Sequence, residues 1–177
     1  MIEQEIVSII DNTKISGNTW KVRLTCPAHY IEAQPGQFVT LRMPKQNDPL
    51  LRRPFSIHRI KTASNGQAGV IEILYQVVGG FTEQLARQHS GGSLDILGPI
   101  GQGFSIEGRA HQTAIVAGGI GVAPLVFLAE KLKAAGMDMP AVRVFIGGRT
   151  KSDILCEDDF ADLGATVSVA TEDGSSG

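Results

Sequence analysis

The spacing of apolar residues changes once along this chain of 177 residues, and that change constrains the fold more than any other feature. Up to about Leu97 apolar residues mostly alternate with polar ones, as in residues 20–26, which is typical of strands with one buried face. After the glycine-rich turn at 98–103, strand-like apolar runs alternate with helical spacings. We therefore predict a two-domain β plus α/β protein.

Residues 1–105 carry the patterns of five or six short strands. Turn sequences such as those at 47–49 and 65–66 separate the strands, which favours an antiparallel Greek-key β-barrel. One short helix, predicted over 83–89 with Thr82 as its N-cap, interrupts the series.

Residues 112–177 read as a partial α/β domain with a parallel sheet, and we place the boundary at 105–112. The first strand of this domain is apolar throughout, so we expect both of its faces to be covered. Because three strands leave an unprotected edge, we expect a truncated domain or one that needs a partner. The predicted elements are strands 114–117, 142–146 and 166–170 and helices 124–135 and 153–163.

Charge and cysteine content argue against several classes of protein. The formal net charge is −2 without a basic run, so nucleic acid is a poor partner. The longest uncharged run, 114–129, is shorter than the roughly 20 residues of a membrane span, and no signal peptide begins the chain. Cys26 and Cys156 form no disulfide or metal motif, which fits a reducing cytoplasm. The isolated histidines His29, His58, His89 and His111 receive no role, and we predict no catalytic side chain and no metal site.

The first candidate site is the strand that contains Arg53, Pro54, Phe55 and Ser56. A guanidinium on a proline-stiffened strand can bind a diphosphate, and the phenyl ring and hydroxyl suit a flavin nucleotide. The alternative is an edge strand in which Pro54 prevents aggregation and the arginine is solvated.

Two glycine-rich turns supply the other candidates. In the first, Gly80, Phe81 and Thr82 follow a strand, and backbone there can approach a phosphate. The alternative is a plain strand-to-helix turn. The second turn contains Gly118, Gly119, Gly121 and Pro124, between an apolar strand and a helix, and it lacks the G-x-G-x-x-G spacing of a Rossmann fingerprint. Its alternative is a tight crossover packed on the sheet.

Four motifs occur together in one order: LLRRPFSI at 50–57, GPIGQGF at 98–104, GGIGVAP at 118–124 and ATEDGS at 170–175. Together they resemble the ferredoxin–NADP reductase superfamily over the whole chain, and most closely the electron-transfer subunits of dihydroorotate dehydrogenases. The resemblance implies an FAD bound by Arg53, Pro54, Phe55 and Ser56, with Leu74, Tyr75 and Gln76 beside the flavin and Gly80, Phe81 and Thr82 near its diphosphate. Residues 118–124, including Gly118, Gly119, Gly121 and Pro124, would carry NAD.

The resemblance also implies a function: NADH reduces FAD, and electrons pass through a [2Fe-2S] cluster to a catalytic dehydrogenase subunit in pyrimidine biosynthesis. Glu172 and Asp173 would repel a 2′-phosphate, which favours NAD over NADP. Phe81 replaces a glycine of the family, so backbone approach there is expected to change or to shift to residues 79–80. The family's cluster-binding cysteines have no counterpart in Cys26 and Cys156.

Three other interpretations stay open at this point. One is a related ferredoxin–NAD(P) reductase or a sulfide or sulfur reductase subunit. Another is an FAD-binding module without turnover of its own. The third is a structural barrel that binds no flavin.

Overall fold

A computed structural model describes residues 2–44, 51–62, 69–106 and 113–177 and contains one antiparallel and one parallel sheet. The predicted β plus α/β architecture is therefore confirmed. The turns predicted at 47–49 and 65–66, and most of the predicted boundary, lie outside the described residues. The strands of the first sheet are β1 (Glu3–Ser16), β2 (Thr19–Cys26), β3 (Phe38–Arg42), β4 (Arg53–Ser56), β5 (Arg59–Lys61), β6 (Gly69–Gln76) and β7 (Ser93–Ile100).

The antiparallel sheet has the strand order β4-β3-β7-β1-β2-β6-β5. Strand β1 pairs with β7 through its first half and with β2 through its second half, and a register shift follows Ile9 where the partner changes. The sheet bends into a barrel, which brings strands from its two edges together. The ring of Phe55 on the edge strand β4 lies 6.2 Å from the ring of Tyr75 on β6, near the opposite edge. The barrel interior holds a cluster of buried aliphatic and aromatic side chains.

The parallel sheet has the order β10-β9-β8, formed by β8 (Thr113–Gly118), β9 (Val142–Gly148) and β10 (Thr166–Thr171). Helices α2 (Ala123–Ala134) and α3 (Glu157–Leu163) pack on one face of it. The expectation that strand 114–117 is covered on both faces is wrong. Ile115 and Ala117 are buried under the helices, whereas Val116 on the opposite face is 74% exposed, because the helices of the described residues lie on one side of this sheet.

Two helices begin at positions that differ from the prediction. Helix α1 (Gly80–Ala86) starts three residues early, and Thr82 is its third residue rather than its N-cap. The Thr82 hydroxyl accepts hydrogen bonds from the N–H groups of Val78 and Gly79, so it braces the turn from inside the helix. Helix α3 starts four residues late, because Cys156 adopts a left-handed conformation with φ 63° that separates it from the preceding turn.

The barrel and the α/β unit each insert one side chain into the core of the other. Leu74 of β6 is buried in the cluster of the α/β unit, and Phe127 of α2 is buried in that of the barrel. These exchanged side chains fix the two units against each other, so grooves between them have defined walls. In the described part of the chain, each helix is too short or too polar to cross a membrane.

Candidate functional site

A groove of about 700 Å³ lies where the barrel meets the start of α2. Its size falls in the range of about 300–1,000 Å³ that is typical of small-molecule sites. Twelve of the fourteen candidate residues line it: Arg53, Pro54, Phe55, Ser56, Leu74, Tyr75, Gln76, Gly80, Phe81, Thr82, Gly121 and Pro124. The remaining lining residues are Val78, Gly79, Ile120 and Ala123. Ile120 and Ala123 belong to the range 118–124 that the resemblance assigns to NAD, Gly79 belongs to the alternative approach at residues 79–80, and Val78 was not predicted. Folding therefore joins three motifs that are distant in sequence.

Arg53 stands at this groove with a guanidinium that binds backbone carbonyl groups only. Its Nη1 donates to the carbonyl oxygens of Leu51 (2.9 Å) and Arg52 (3.4 Å), and it forms no ion pair among the described residues. A cation whose charge is not neutralised by a carboxylate is suited to bind an anionic ligand. Strand β4 holds it there by pairing with β3 from Arg53 to Ser56.

Aromatic rings form the apolar side of the groove. Phe55 lies 5.9 Å from Phe81 and 6.2 Å from Tyr75, measured between ring centroids. The Tyr75 hydroxyl donates to Asn12 Oδ1 at 3.0 Å, and burial raises the pKa of Tyr75 to about 12, so this side chain is neutral at pH 7. Phe81 is only 3% exposed and packs in the barrel core, so its bulk is directed away from the glycine turn beside it.

The backbone at the turn before α1 is open towards the groove. Among the described residues, and apart from its chain neighbours and its own helix, a Cβ atom on Gly79 or Gly80 would meet no atom within 4 Å, so packing against these residues does not explain the glycines. The N–H of Gly79 is already bound to the Thr82 hydroxyl, whereas the first N–H groups of a helix, here those of Gly80 and Phe81, have no partner within the helix. The donors available to a ligand therefore begin at Gly80.

A second groove, of about 670 Å³, lies at the carboxyl ends of the three parallel strands. Gly118 and Gly119 line it, and in the described part of the chain a Cβ on either would meet no atom within 4 Å beyond its chain neighbours. Gln76 and Ile120 line both grooves, so the two adjoin. The sequence prediction missed the other lining residues on β9 and β10 and after them, although the carboxyl ends of parallel strands are the usual position of ligands in such sheets: Gly147, Gly148, Arg149, Asp153, Ala170 and Thr171.

The two acidic residues after β10 have different surroundings. Glu172 lines the second groove. The carboxylate of Asp173 instead accepts hydrogen bonds from the N–H and the hydroxyl of Ser175, at 3.0 and 2.6 Å, and the pKa of Asp173 is lowered by these bonds. Of the pair that the sequence indicated, Glu172 is the one positioned to act on a ligand in this groove.

Within the described ranges, two groups of side chains each place three donor atoms of the kind that bind metals within 4.8 Å of one another. The first, His58 with Cys156 and Asp159, includes a carboxylate that is already bound to Arg59 Nη1 at 2.9 Å. A fixed guanidinium beside the donors disfavours a second cation. The second group, Glu3, Glu5 and His29, is partly exposed on the barrel. We assign a metal to neither group.

One residue of the interface was missed by sequence reasoning. His58 is 1% exposed and its Nδ1 lies 2.7 Å from the carbonyl oxygen of Ala123, a residue 65 positions away that lines the first groove. The sequence contains no signal for this contact, because the histidine is isolated from other polar motifs. Only the packing of α2 against the barrel brings the two residues together.

Comparison with known proteins agrees with the geometry. A family model described as the oxidoreductase FAD-binding domain matches residues 6–104. The chain is 41% identical over 163 residues to the electron transfer subunit of dihydroorotate dehydrogenase B (NAD(+)) from Desulforamulus reducens, covering 92% of this chain and 60% of that protein. The same subunit from Bacillus caldolyticus is 36% identical over 179 residues, covering 100% of this chain and 66% of the relative. The chain thus spans about 60–66% of the length of these two relatives.

Solved structures show the same likeness. An NADH-dependent reduced ferredoxin–NADP oxidoreductase superposes with a TM-score of 0.77 at 28% identity, over 98% of this chain and 59% of the other. Phthalate dioxygenase reductase superposes with a TM-score of 0.72 at 20% identity, over 97% of this chain and 52% of the other, and at that identity it supports the fold alone.

Proposed function

We propose, from the premise that the chain belongs to the oxidoreductase FAD-binding domain family, that it binds FAD in the first groove and passes electrons between NADH and a partner oxidoreductase. The proposal rests on one observation. Arg53, a cation with no carboxylate partner among the described residues, lies in the same groove as the partly buried ring of Phe55, backed by the buried rings of Tyr75 and Phe81, and a glycine turn that is open to the groove.

In this proposal each wall of the first groove contacts one part of FAD. The Arg53 guanidinium binds the diphosphate, helped by the N–H groups of Gly80 and Phe81. Phe55 and Ser56 contact the flavin from β4, and residues 74–76 contact it from β6. Thr82 acts by bracing the glycine turn, because its hydroxyl is already bonded there.

The second groove is proposed to bind NADH. Gly118 and Gly119 allow its backbone to approach the dinucleotide, and Gly121 and Pro124, which line the first groove, lie on the side next to the flavin. Glu172 would repel a 2′-phosphate, which favours NADH over NADPH. Bound FAD would supply the redox chemistry: hydride exchange with the nicotinamide and single-electron exchange with a partner. The chain's own residues orient the two ligands at the shared positions Gln76 and Ile120 and exclude water between them.

The partner belongs to the same proposal. The relatives are named electron transfer subunits of dihydroorotate dehydrogenase B (NAD(+)), so we propose a catalytic dehydrogenase subunit of pyrimidine synthesis as the partner. Oxidation of dihydroorotate by that subunit would release two electrons, which would pass through FAD to NAD(+), the reverse of flavin reduction by NADH. In such an assembly we expect a [2Fe-2S] cluster to carry electrons between FAD and the catalytic subunit. We do not propose Cys26 or Cys156 as its ligands, because burial raises the pKa of Cys26 to about 11 and that of Cys156 to about 12. A ferredoxin-linked reductase is the second candidate, supported by the likeness at 28% identity.

Flavin absorbance tests the proposal directly. The purified chain is loaded with FAD, and NADH or NADPH is added without oxygen. We expect rapid bleaching with NADH and slower bleaching with NADPH. A chain that stays yellow with both is a flavin-binding module without turnover, and a chain that takes up no FAD contradicts the proposal altogether. Reoxidation by a dihydroorotate dehydrogenase catalytic subunit, but not by ferredoxin, would separate the two candidate partners.

A further inference from the structure

One face of α2 docks on the barrel through three contacts spaced along the helix. Ala123, Phe127 and Glu130 lie at i, i+4 and i+7, which places them on the same side of the helix. The carbonyl of Ala123 contacts His58, the ring of Phe127 enters the barrel core, and the carboxylate of Glu130 lies 2.8 Å from Arg59 Nε. The opposite face of α2 packs on the parallel sheet. Helix α2 therefore links the two units rigidly.

The His58 ring makes the contact that is nearest to the grooves. Because a carbonyl oxygen only accepts hydrogen bonds, the Nδ1 at 2.7 Å from Ala123 must carry the proton. The backbone beneath the ring is fixed to the barrel on both sides: the His58 N–H donates to the carbonyl of Glu72 at 2.9 Å, and that of Ile57 to the carbonyl of Gln37 at 3.1 Å. The ring thus holds α2 from a rigid base.

His58 is also close in sequence to one wall of the first groove, and Ala123 belongs to the other. Ser56, the last residue of β4, lies two positions before His58, and Pro124 directly follows Ala123. The Nδ1–carbonyl hydrogen bond therefore ties the strand proposed to hold the flavin to the turn proposed to hold the nicotinamide. A hydrogen bond fixes this separation more narrowly than apolar contact does, because its length and direction are both restricted.

We infer that His58 is a positioning residue that sets the distance between β4 and the turn at 118–124, and thereby between the flavin and the nicotinamide. The predicted effect of His58 on the rate of flavin reduction rests on the proposed function. Its role in fixing β4 against the turn at 118–124 does not. Hydride transfer requires reacting atoms about 3–3.5 Å apart, and a misplacement of about 1 Å costs on the order of 100-fold in rate. A residue that only holds the two walls can therefore control the rate without touching either ligand.

The kinetic experiment uses the FAD-loaded full chain and three substitutions. His58→Leu removes the donor at similar volume, and His58→Asn keeps an N–H donor near the position of Nδ1. His89→Leu, at an exposed histidine, is the matched control. We expect FAD content and dithionite reduction to be unchanged in all of them. Flavin reduction by NADH should slow about 10- to 100-fold in His58→Leu, recover to within a few-fold in His58→Asn, and be unaffected in His89→Leu. Equal rates in His58→Leu and the unmodified chain would overturn the inference.

Hydrogen exchange measures the same positioning without NADH. In His58→Leu the amides of residues 118–124 should exchange faster, whereas those of β2 in the barrel should not, and His58→Asn should restore protection. Uniformly faster exchange would show a general loss of stability and contradict the inference. If NADH does not reduce the FAD-loaded unmodified chain, the proposed function is wrong. Hydrogen exchange at residues 118–124 then still tests whether His58 positions this turn. If His58→Leu does not fold, His58→Gln replaces it, because its amide reaches the Nε2 position and should not restore the contact.

Discussion

The guanidinium of Arg52 is bound to the buried carboxylate of Asp95, with 2.7 Å between Nη2 and Oδ1. Arg42 Nε binds the other carboxylate oxygen at 2.8 Å. Burial alone would raise the pKa of Asp95, but the hydrogen bonds from Arg52 and Arg42 lower it below its usual value. Arg52 is thus occupied inside the barrel, and the adjacent Arg53 is left to face the groove.

This division of roles predicts different losses for the two arginines. Arg53→Ala should weaken FAD binding about 10- to 100-fold, because a hydrogen bond to a charged group contributes about 1.5–3 kcal/mol. Its free energy of unfolding in the apo form should hardly change, since only backbone carbonyls lose a partner. Fluorescence titration with FAD measures the first quantity and urea unfolding the second. Arg143→Ala, at an exposed arginine of β9, is the control and should change neither.

Arg52→Ala should instead lower the free energy of unfolding by about 1–3 kcal/mol, because the Asp95 carboxylate keeps Arg42 but loses one charged partner. Urea unfolding of the apo protein at pH 7 measures this loss. FAD affinity of the folded fraction should stay within a few-fold of the unmodified chain. An Arg52→Ala variant that is fully stable but loses FAD would show that the roles of the two arginines have been exchanged.

Gly80→Ala should move stability and FAD affinity in opposite directions. The added Cβ would contact no described residue beyond its own helix and chain neighbours within 4 Å, and alanine restricts the unfolded chain more than glycine does, so stability should rise by about 0.5 kcal/mol. The same methyl group would lie where the diphosphate is proposed, so FAD should bind less tightly. Thermal unfolding and FAD titration test the two effects. Gly118→Ala is the matched variant in the second groove: it should retain FAD and raise the KM for NADH. Unchanged FAD affinity in Gly80→Ala would contradict the proposed position of the diphosphate.

Arg59→Met should loosen the junction between the barrel and the α/β unit. The Arg59 side chain is 12% exposed and binds Glu130 at 2.8 Å and Asp159 at 2.9 Å. In Arg59→Met both carboxylates lose their cationic partner. Because each carboxylate is about one third exposed to water, the free energy of unfolding should fall by about 1–3 kcal/mol, less than when a fully buried ion pair is broken. Arg149→Met breaks the surface pair with Asp153 and should cost at most about 0.5 kcal/mol. Urea unfolding of both variants makes the comparison, and equal losses would contradict the docking role of Arg59.

The fold was predictable where a strand keeps one buried face along its length. Strand β2 alternates because its buried residues lie on one face, whereas β1, for which no bounds were predicted, shifts its register after Ile9, where it changes partner. Strand β5 has three residues, two of them cations, and its one apolar residue, Ile60, is too short a pattern to predict a strand. At Val116 the sequence predicted too much burial rather than too little structure. The apolar run indicated two covered faces, but burial depends on which helices pack on the sheet, and this side chain is exposed.

The candidate site was predictable as separate motifs but not as one surface. Glycine turns and Arg53 can be identified locally, because their chemistry is local. The contact of His58 with Ala123 depends on the approach of α2 to the barrel, which no local pattern records. Arg149 was likewise not predictable from a local pattern. It lines the second groove because the order of the parallel strands places the end of β9 there.

Protonation of His58 should weaken the fold below neutral pH. Burial lowers its pKa below the ordinary 6.5, and Arg59 lowers it further, while the Ala123 carbonyl, Asp159 and Glu72 act in the opposite direction. The unfolded chain therefore binds a proton at His58 as the pH falls through 6.5, whereas the folded chain stays neutral there until a lower pH. Within that window the unfolded state holds more protons, so the free energy of unfolding should fall by up to about 1.4 kcal/mol per pH unit.

The full contribution of neutral His58 should be present at pH 8 and be lost progressively below 6.5. Urea unfolding of the unmodified chain and of His58→Asn at pH 8, 6.5 and 5.5 measures this contribution as the difference between their free energies of unfolding. Asparagine does not titrate, and the two chains share all other titratable groups. The free energy of unfolding of the unmodified chain should fall relative to that of His58→Asn as the pH falls below 6.5. Parallel curves would show that the pKa of His58 is the same in the folded and unfolded chains, and a relative gain of the unmodified chain in acid would show that folding raises this pKa; either result would contradict the prediction.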